Sequence, residues 1–320
     1  MIHVYGVFLP KTILTEYASA VDVFRIANQF GGDFMWHSVA PVSSDLLMDA
    51  AQVIVPKCEM LPERLPDGAV VVIPGSLAIP LEVNDPAFLS VMNWLEQVIH
   101  EGVTVCAICS GAFVVAGAGL LNGFDATTHH SLCDRLAQFY PAVRVRPQRA
   151  VVRSSGRKAY VWTCAGLSSG IDMLLHALGE LAGAAVMQNT MREMVVYFQR
   201  SLEDEQISPW LRTRHHAHAG VHRVQDMLQK EFDQPHDLNS LASTACMSSR
   251  NLTRLFKQNT GMSVVQYQQW VRVSALKKFL SNSAYSVEKA SLAAGFGSAR
   301  HARYVWGKFE KGSIAAFRAS

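Results

Sequence analysis

The chain has 320 residues, 49% hydrophobic and 17% charged, a length suited to two domains and a composition that excludes wholesale disorder. No apolar run reaches the roughly 20 residues that cross a bilayer, and the opening MIHVYGVFLPK is too short and too uncharged at its start for a secretory signal, so a cytoplasmic protein without a membrane partner is expected. The net charge of +3 is split: Ala219 onward carries 14 Lys/Arg against 6 Asp/Glu, about +8, and the first 218 residues carry 15 against 20, about −5, which points to a polyanion partner for the basic part.

Apolar runs at Ile2–Leu9, Ala51–Val55, Ala69–Ile73 and Val103–Ile108 are separated by amphipathic stretches such as Glu16–Gln29 and Ala87–His100. That alternation predicts an α/β domain with a mostly parallel sheet covered on both faces. The fourth run ends at Cys109 and leads into the small-residue helical pattern Val114–Ala118. A cysteine at such a corner is where many α/β enzymes place a nucleophile. A late strand pair, Ala150–Ser154 and Tyr160–Thr163, flanks the turn Ser155-Gly156-Arg157 and precedes a helix at Gly170–Leu181. Met187, Met191, Met194, Val195 and Phe198 keep helical spacing, as a packing face or a dimer seam. Around Ser201 the periodicity fades, so residues 201–218 are expected to link a domain of residues 1–200 to one of residues 219–320.

Cysteines at 58, 106, 109, 133, 164 and 246 are scattered as reduced thiols would be. Cys106 and Cys109 form a C-x-x-C, but residues three apart in a strand face opposite ways, so no disulfide is expected. A lone oxidisable Cys109 is the better redox reading. His215, His216 and His218 lie in the polar linker with no cysteine or carboxylate to complete a site; no metal and no cofactor are expected.

After Val221 only helical segments follow: His222–Glu231, Leu238–Thr244, Ser249–Gln258, Val264–Leu280, Val287–Ala294 and Ala299–Phe309. A short helix, a three-residue turn and a second helix occur twice, about 50 residues apart, which predicts an all-α domain with two helix-turn-helix motifs. In the first copy Leu238, Leu241, Leu252, Leu255 and Phe256 have core spacing, and Ser248 is placed to cap the second helix. Arg250, Asn251, Thr253, Arg254 and Lys257 are left on its outer face. In the second copy Gly295 falls in the turn and Arg300, His301, Arg303 and Tyr304 fall outside. A solvated basic face is the plainer reading, but two copies in a domain of about +8 favour DNA.

Residues His222 to Arg318 resemble the AraC-type DNA-binding domain. Ala242 through Ser248 match its alanine, three residues, glycine, hydrophobe, serine pattern except that Cys246 stands for the glycine, and Gly295-Phe296-Gly297-Ser298 keep the second signature intact. The end of the second copy departs, with Ala302 where the family has phenylalanine, a loss that Trp306 would have to offset. Residues 2 to 185 resemble the ThiJ/PfpI class of glutamine-amidotransferase-like folds, a flavodoxin-like sandwich, through Val70 to Gly75, Ala107 to Gly111, Ala126 to His129 and Thr163 to Gly166. The combination is similar to GlxA-like transcriptional regulators. The resemblance implies a homodimer on promoter DNA and a small-molecule effector, often an amino acid or quaternary amine in such relatives. It places Glu16 and His129 beside Cys109, with Gly75, Ser76 and Ser110 lining the same pocket. PfpI-type peptidases carry histidine after the cysteine, and here that residue is Ser110, so no peptidase is implied. The expected protein is a regulator rather than an enzyme. A cysteine amidase or hydrolase, or a thiol redox sensor, is the alternative.

Overall fold

The computed structural model describes residues 1–41, 58–79, 84–207, 212–280, 285–310 and 312–319; the strand expected at Ala51–Val55 lies outside them. Two compact units divide the chain, Met1–Gln206 and Ile207–Ser320. In the first, β1 (Ile2–Val7), α1 (Leu14–Ala27), β2 (Phe34–Ala40), β3 (Glu59–Met60) and β4 (Val70–Ile73) come in turn. Then follow α2 (Pro86–Val98), β5 (Thr104–Ile108), α3 (Gly111–Gly117), β6 (Asp125–Ala126), α4 (Cys133–Phe139) and β7 (Arg144–Val145). β8 (Val151–Ser154), β9 (Tyr160–Cys164), α5 (Ser168–Ala182) and α6 (Ala184–Glu193) complete it.

The main sheet has the order β3-β2-β1-β4-β5-β9-β8, parallel except for the hairpin partner β8. Its central strands are apolar throughout because both faces are covered. Val71, Ile73, Val105 and Ala107 pack on the side of α2 and α3, whereas Val70, Val72, Cys106 and Ile108 pack on the side of α1 and α5. This is the doubly wound sandwich expected from the sequence. β2 escaped the sequence reading, since Met35, Trp36, His37 and Ser38 break its apolar run. The methionine pattern is a packing face only as far as Met194. α6 stops at Glu193, Val195 is left-handed at φ 53° and largely exposed, and Met187, Met191 and Met194 pack against the α/β core.

The second unit is helical among its described residues: α7 (Ala219–Lys230), α8 (Leu238–Thr244), α9 (Ser249–Thr260), α10 (Val264–Leu280), α11 (Val287–Ala293), α12 (Ala299–Phe309) and α13 (Ile314–Ala319). Side chains cap the starts: Asp237 accepts from Asn239 and Ser240, Ser248 from Asn251, Ser286 from Lys289 and Ser298 from His301, the usual chemistry for orphan N–H groups. Val264, Tyr267 and Trp270 of α10 join one core with α7, α8 and α9. Its Val273, Leu276 and Leu280 join another with α11, α12 and α13. Leu241, Leu252 and Phe256 are buried as expected, but Leu238, at the start of α8, is exposed. Ala302 is buried, and Trp306 fills the space beside it, edge-on to Phe317 with ring centroids 5.3 Å apart.

Candidate functional site

Strand order reverses between β1 and β4, and in such sheets the crevice beyond the carboxyl ends of those strands takes the ligand. Here the two ends are laced together. The Ser76 hydroxyl donates to the Pro10 carbonyl (2.6 Å), Ile13 N donates to the Gly75 carbonyl (2.8 Å), and Leu77 N donates to the Lys11 carbonyl (3.0 Å). The first turn of α1 then brings Glu16, fully buried, beneath them. Its carboxyl accepts from Gly75 N at 2.7 Å and from Leu167 N at 2.9 Å, and hydrogen-bonds the Cys109 thiol.

Cys109 turns the corner from β5 to α3 at φ 54°, and Lys11 and Leu167 share that left-handed region. Small residues make the approach feasible. A Cβ at Gly166 would lie 2.6 Å from Cys109 Cβ, and one at Gly75 would lie 2.8 Å from Glu16 Oε2. Ser110 does not cap α3; its hydroxyl donates to the Ser76 carbonyl and accepts from Ser76 N, both at 2.9 Å. Glu16, Gly75, Ser76, Cys109 and Ser110 therefore form one connected cluster. His129 stands differently: its Nδ1 pairs with the Ser131 hydroxyl at 2.8 Å and its ring lies against His130, tilted by 39° with centroids 4.2 Å apart, with no bond to Cys109 among the described residues.

Electrostatics set the protonation of the cluster. Burial pushes the Glu16 carboxyl above its ordinary value, against the pull of the Leu167 and Gly75 N–H groups and the thiol. Burial and then the field of Glu16 push the Cys109 thiol far up, so it is neutral at pH 7. Burial, with a smaller contribution from His130, lowers the pKa of His129. A hydrolase needs a thiolate and free N–H donors for an oxyanion. The Gly75 and Ser76 donors are already committed to Glu16 and Ser110.

Three contributors had no role assigned from sequence. Leu167 N holds one oxygen of Glu16, a role carried by backbone and so without a side-chain signal. The buried Thr128 hydroxyl donates to the Cys109 carbonyl at 2.7 Å. Gln206 Nε2 in turn donates to the Thr128 carbonyl and to Thr127 Oγ1, each at 2.9 Å. Residues 204–206, read as linker, run beside Gln148 to Ala150: Ala150 N donates to Asp204 O, and Gln206 N donates to Gln148 O. The only sequence signal was the Thr127-Thr128 pair beside His129.

In the helical unit, Arg250, Thr253, Arg254 and Lys257 of α9 are exposed and Asn251 is half-buried. On α12, Arg300, His301 and Arg303 are exposed, with His301 edge-on to Phe296. Cys246 and Gly295 occupy matching places after the first helix of each motif, at φ 58° and 81°. His218 caps α7, and His216 lies against His222. No disulfide joins the cysteines among the described residues. Among the described residues, no helix is long and apolar enough to cross a membrane, and no group of three ligand-type side chains is spaced for a metal ion.

The DJ-1/PfpI family pattern matches residues 54–178, and a helix-turn-helix domain pattern matches residues 241–320. The HTH-type transcriptional regulator GbdR of Pseudomonas aeruginosa is 25% identical over 296 residues, 92% of this chain and 77% of that protein. GlxA of Rhizobium meliloti, also an HTH-type transcriptional regulator, is 25% identical over 295 residues, 90% of this chain and 86% of its own. A solved structure from Vibrio parahaemolyticus is alike in fold, with a TM-score of 0.51 at 22% identity, covering 60% of this chain and 100% of that one. The chain thus carries a DJ-1/PfpI-type domain followed by a helix-turn-helix domain, and over nine-tenths of its length it is similar to HTH-type transcriptional regulators.

Proposed function

We propose that this regulator works in the cytoplasm as a homodimer on promoter DNA, gated by a small metabolite bound where β1 and β4 end. The observation that carries this reading is the cluster of Glu16, Gly75, Ser76, Cys109 and Ser110 at the strand-order reversal, the usual ligand position of doubly wound sheets. An amino-acid or amine effector follows from the resemblance to GlxA-like regulators. A neutral thiol and committed N–H groups favour a binding cleft over a cysteine hydrolase, and the same neutral thiol is a poor redox sensor. The domain limits of 1–200, 201–218 and 219–320 remain the working division, with residues 201–206 as an output segment bonded to Thr128 through Gln206. A ligand that shifts the elbow at Cys109 then pulls on the chain leaving the first unit, a coupling worth about 1–3 kcal/mol in typical cases.

A thermal-shift screen of the full chain against amino acids, amines, betaines and amides tests this, with each stabilising compound checked for turnover by mass. The expected result is a compound recovered unchanged that alters affinity for DNA. Saturating effector with unchanged DNA affinity and transcription would refute the gating. Consumption that depends on Cys109 would establish the enzyme instead.

A further inference from the structure

The outer face of α9 is organised around one guanidinium. Arg250, Thr253, Arg254, Lys257 and Gln258 line an open concavity of about 540 Å³, with no carboxylate among them. Arg254 Nη2 donates to Asn251 Oδ1 at 2.9 Å and Nη1 to Gln258 Oε1 at 3.3 Å. Two neutral amides, one turn to either side, thus aim the guanidinium without cancelling its charge. Two of the five N–H donors of an arginine are used, and three remain for a paired contact.

The same bonds limit what the neighbours can read. Asparagine and glutamine recognise adenine with the amide oxygen and nitrogen together, and here both amide oxygens are committed to Arg254. The Thr253 hydroxyl donates back to the Ser249 carbonyl at 2.9 Å, so its methyl is the group left for a base. On α12 two of the basic groups have other partners: Arg303 lies 3.6 Å from Glu288, and Lys308 sits over the Tyr304 ring at 4.3 Å.

We propose that Arg254 is the specificity-determining residue of the first reading helix. It takes O6 and N7 of one guanine, the Thr253 methyl meets an adjacent thymine methyl, and Arg250 and Lys257 hold flanking phosphates. This rests on the DNA-binding reading and adds the base that is read.

The test begins by selecting duplexes from a random-sequence pool with the full chain. The selected site contains an invariant guanine, and replacing it by 7-deazaguanine, which lacks the N7 acceptor, weakens binding roughly 5- to 100-fold. Arg254→Ala, at an exposed position, keeps the melting temperature, binds both duplexes equally and accepts any base there. Arg254→Lys retains the charge and the salt dependence but loses the guanine preference, because a lysine lacks the planar fork. Lys257→Ala weakens all duplexes alike and lowers the salt slope by about one. A guanine preference that survives in Arg254→Ala, or a 7-deaza duplex bound as tightly as the guanine one, overturns the proposal. Salt-dependent binding without any selected sequence sinks the base contact and leaves DNA binding standing. Binding to no duplex at all sinks both.

Discussion

Cys109 and Cys246 adopt nearly the same left-handed backbone, at φ 54° and 58°, a conformation that costs an L-residue roughly 1–2 kcal/mol. Their surroundings are opposites. Around Cys109, Glu16, Gly75, Leu167 and Thr128 converge through buried and partly buried hydrogen bonds, and the side chain takes part. Cys246 is an exposed turn residue, and its counterpart in the second motif is Gly295. Strain points to function only where the neighbours over-determine it; at the turn it marks a position where glycine fits better.

Four experiments bear on that contrast, the first with the largest effect. Gly166→Ala drives a methyl into Cys109 Cβ at 2.6 Å from a φ of 109°, and should cost about 3 kcal/mol or more in urea unfolding. A loss below about 1 kcal/mol would show that the elbow gives way easily. At pH 8, thiol labelling should modify exposed Cys246 at least about a hundredfold faster than Cys109, read site by site by mass; equal rates would mean an open, ionisable elbow. The Glu16 carboxyl, raised by burial from 4.5, binds its proton more tightly in the folded state. Its stabilisation is complete below the unfolded value and is lost as pH rises through the raised folded value, with about 1.4 kcal/mol at stake for each pH interval of one between the two. Melts of wild type against Glu16→Gln should therefore show a stability difference that declines with rising pH through that window, and a flat difference would refute the assignment. The smallest effect is a gain: Cys246→Gly relieves the turn and should raise stability by about 0.5–1 kcal/mol, whereas Cys109→Gly should lower it by removing a buried side chain.

Much of this contrast was legible in the sequence. An apolar run into Cys109 and small residues beyond it predicted the corner, and the family's turn glycine marked Cys246 as a turn residue. Ser248 declared itself as a cap, and Trp306, the residue that would have to offset Ala302, shares its core. What escaped depended on contacts between distant parts of the chain. Leu167 acts through its backbone N–H, 151 positions from Glu16, which no residue type encodes. Residues 204–206 looked like linker because a segment held by backbone bonds at a sheet margin needs no apolar periodicity. His129 was placed beside Cys109 by resemblance, but its ring is engaged by Ser131 and His130.

The helix shared by the two helical cores sets a length as well as a fold. At 17 residues, α10 is a rod of about 25 Å, buried at one end in the first bundle and at the other in the second. The two motifs cannot swivel separately without pulling Trp270 or Val273 out of its core. One extra base pair between their contacts rotates the farther groove by roughly 35°, and the rod has no joint with which to follow. On the proposed function, the spacing between the two DNA contacts would be measured as well as the bases read.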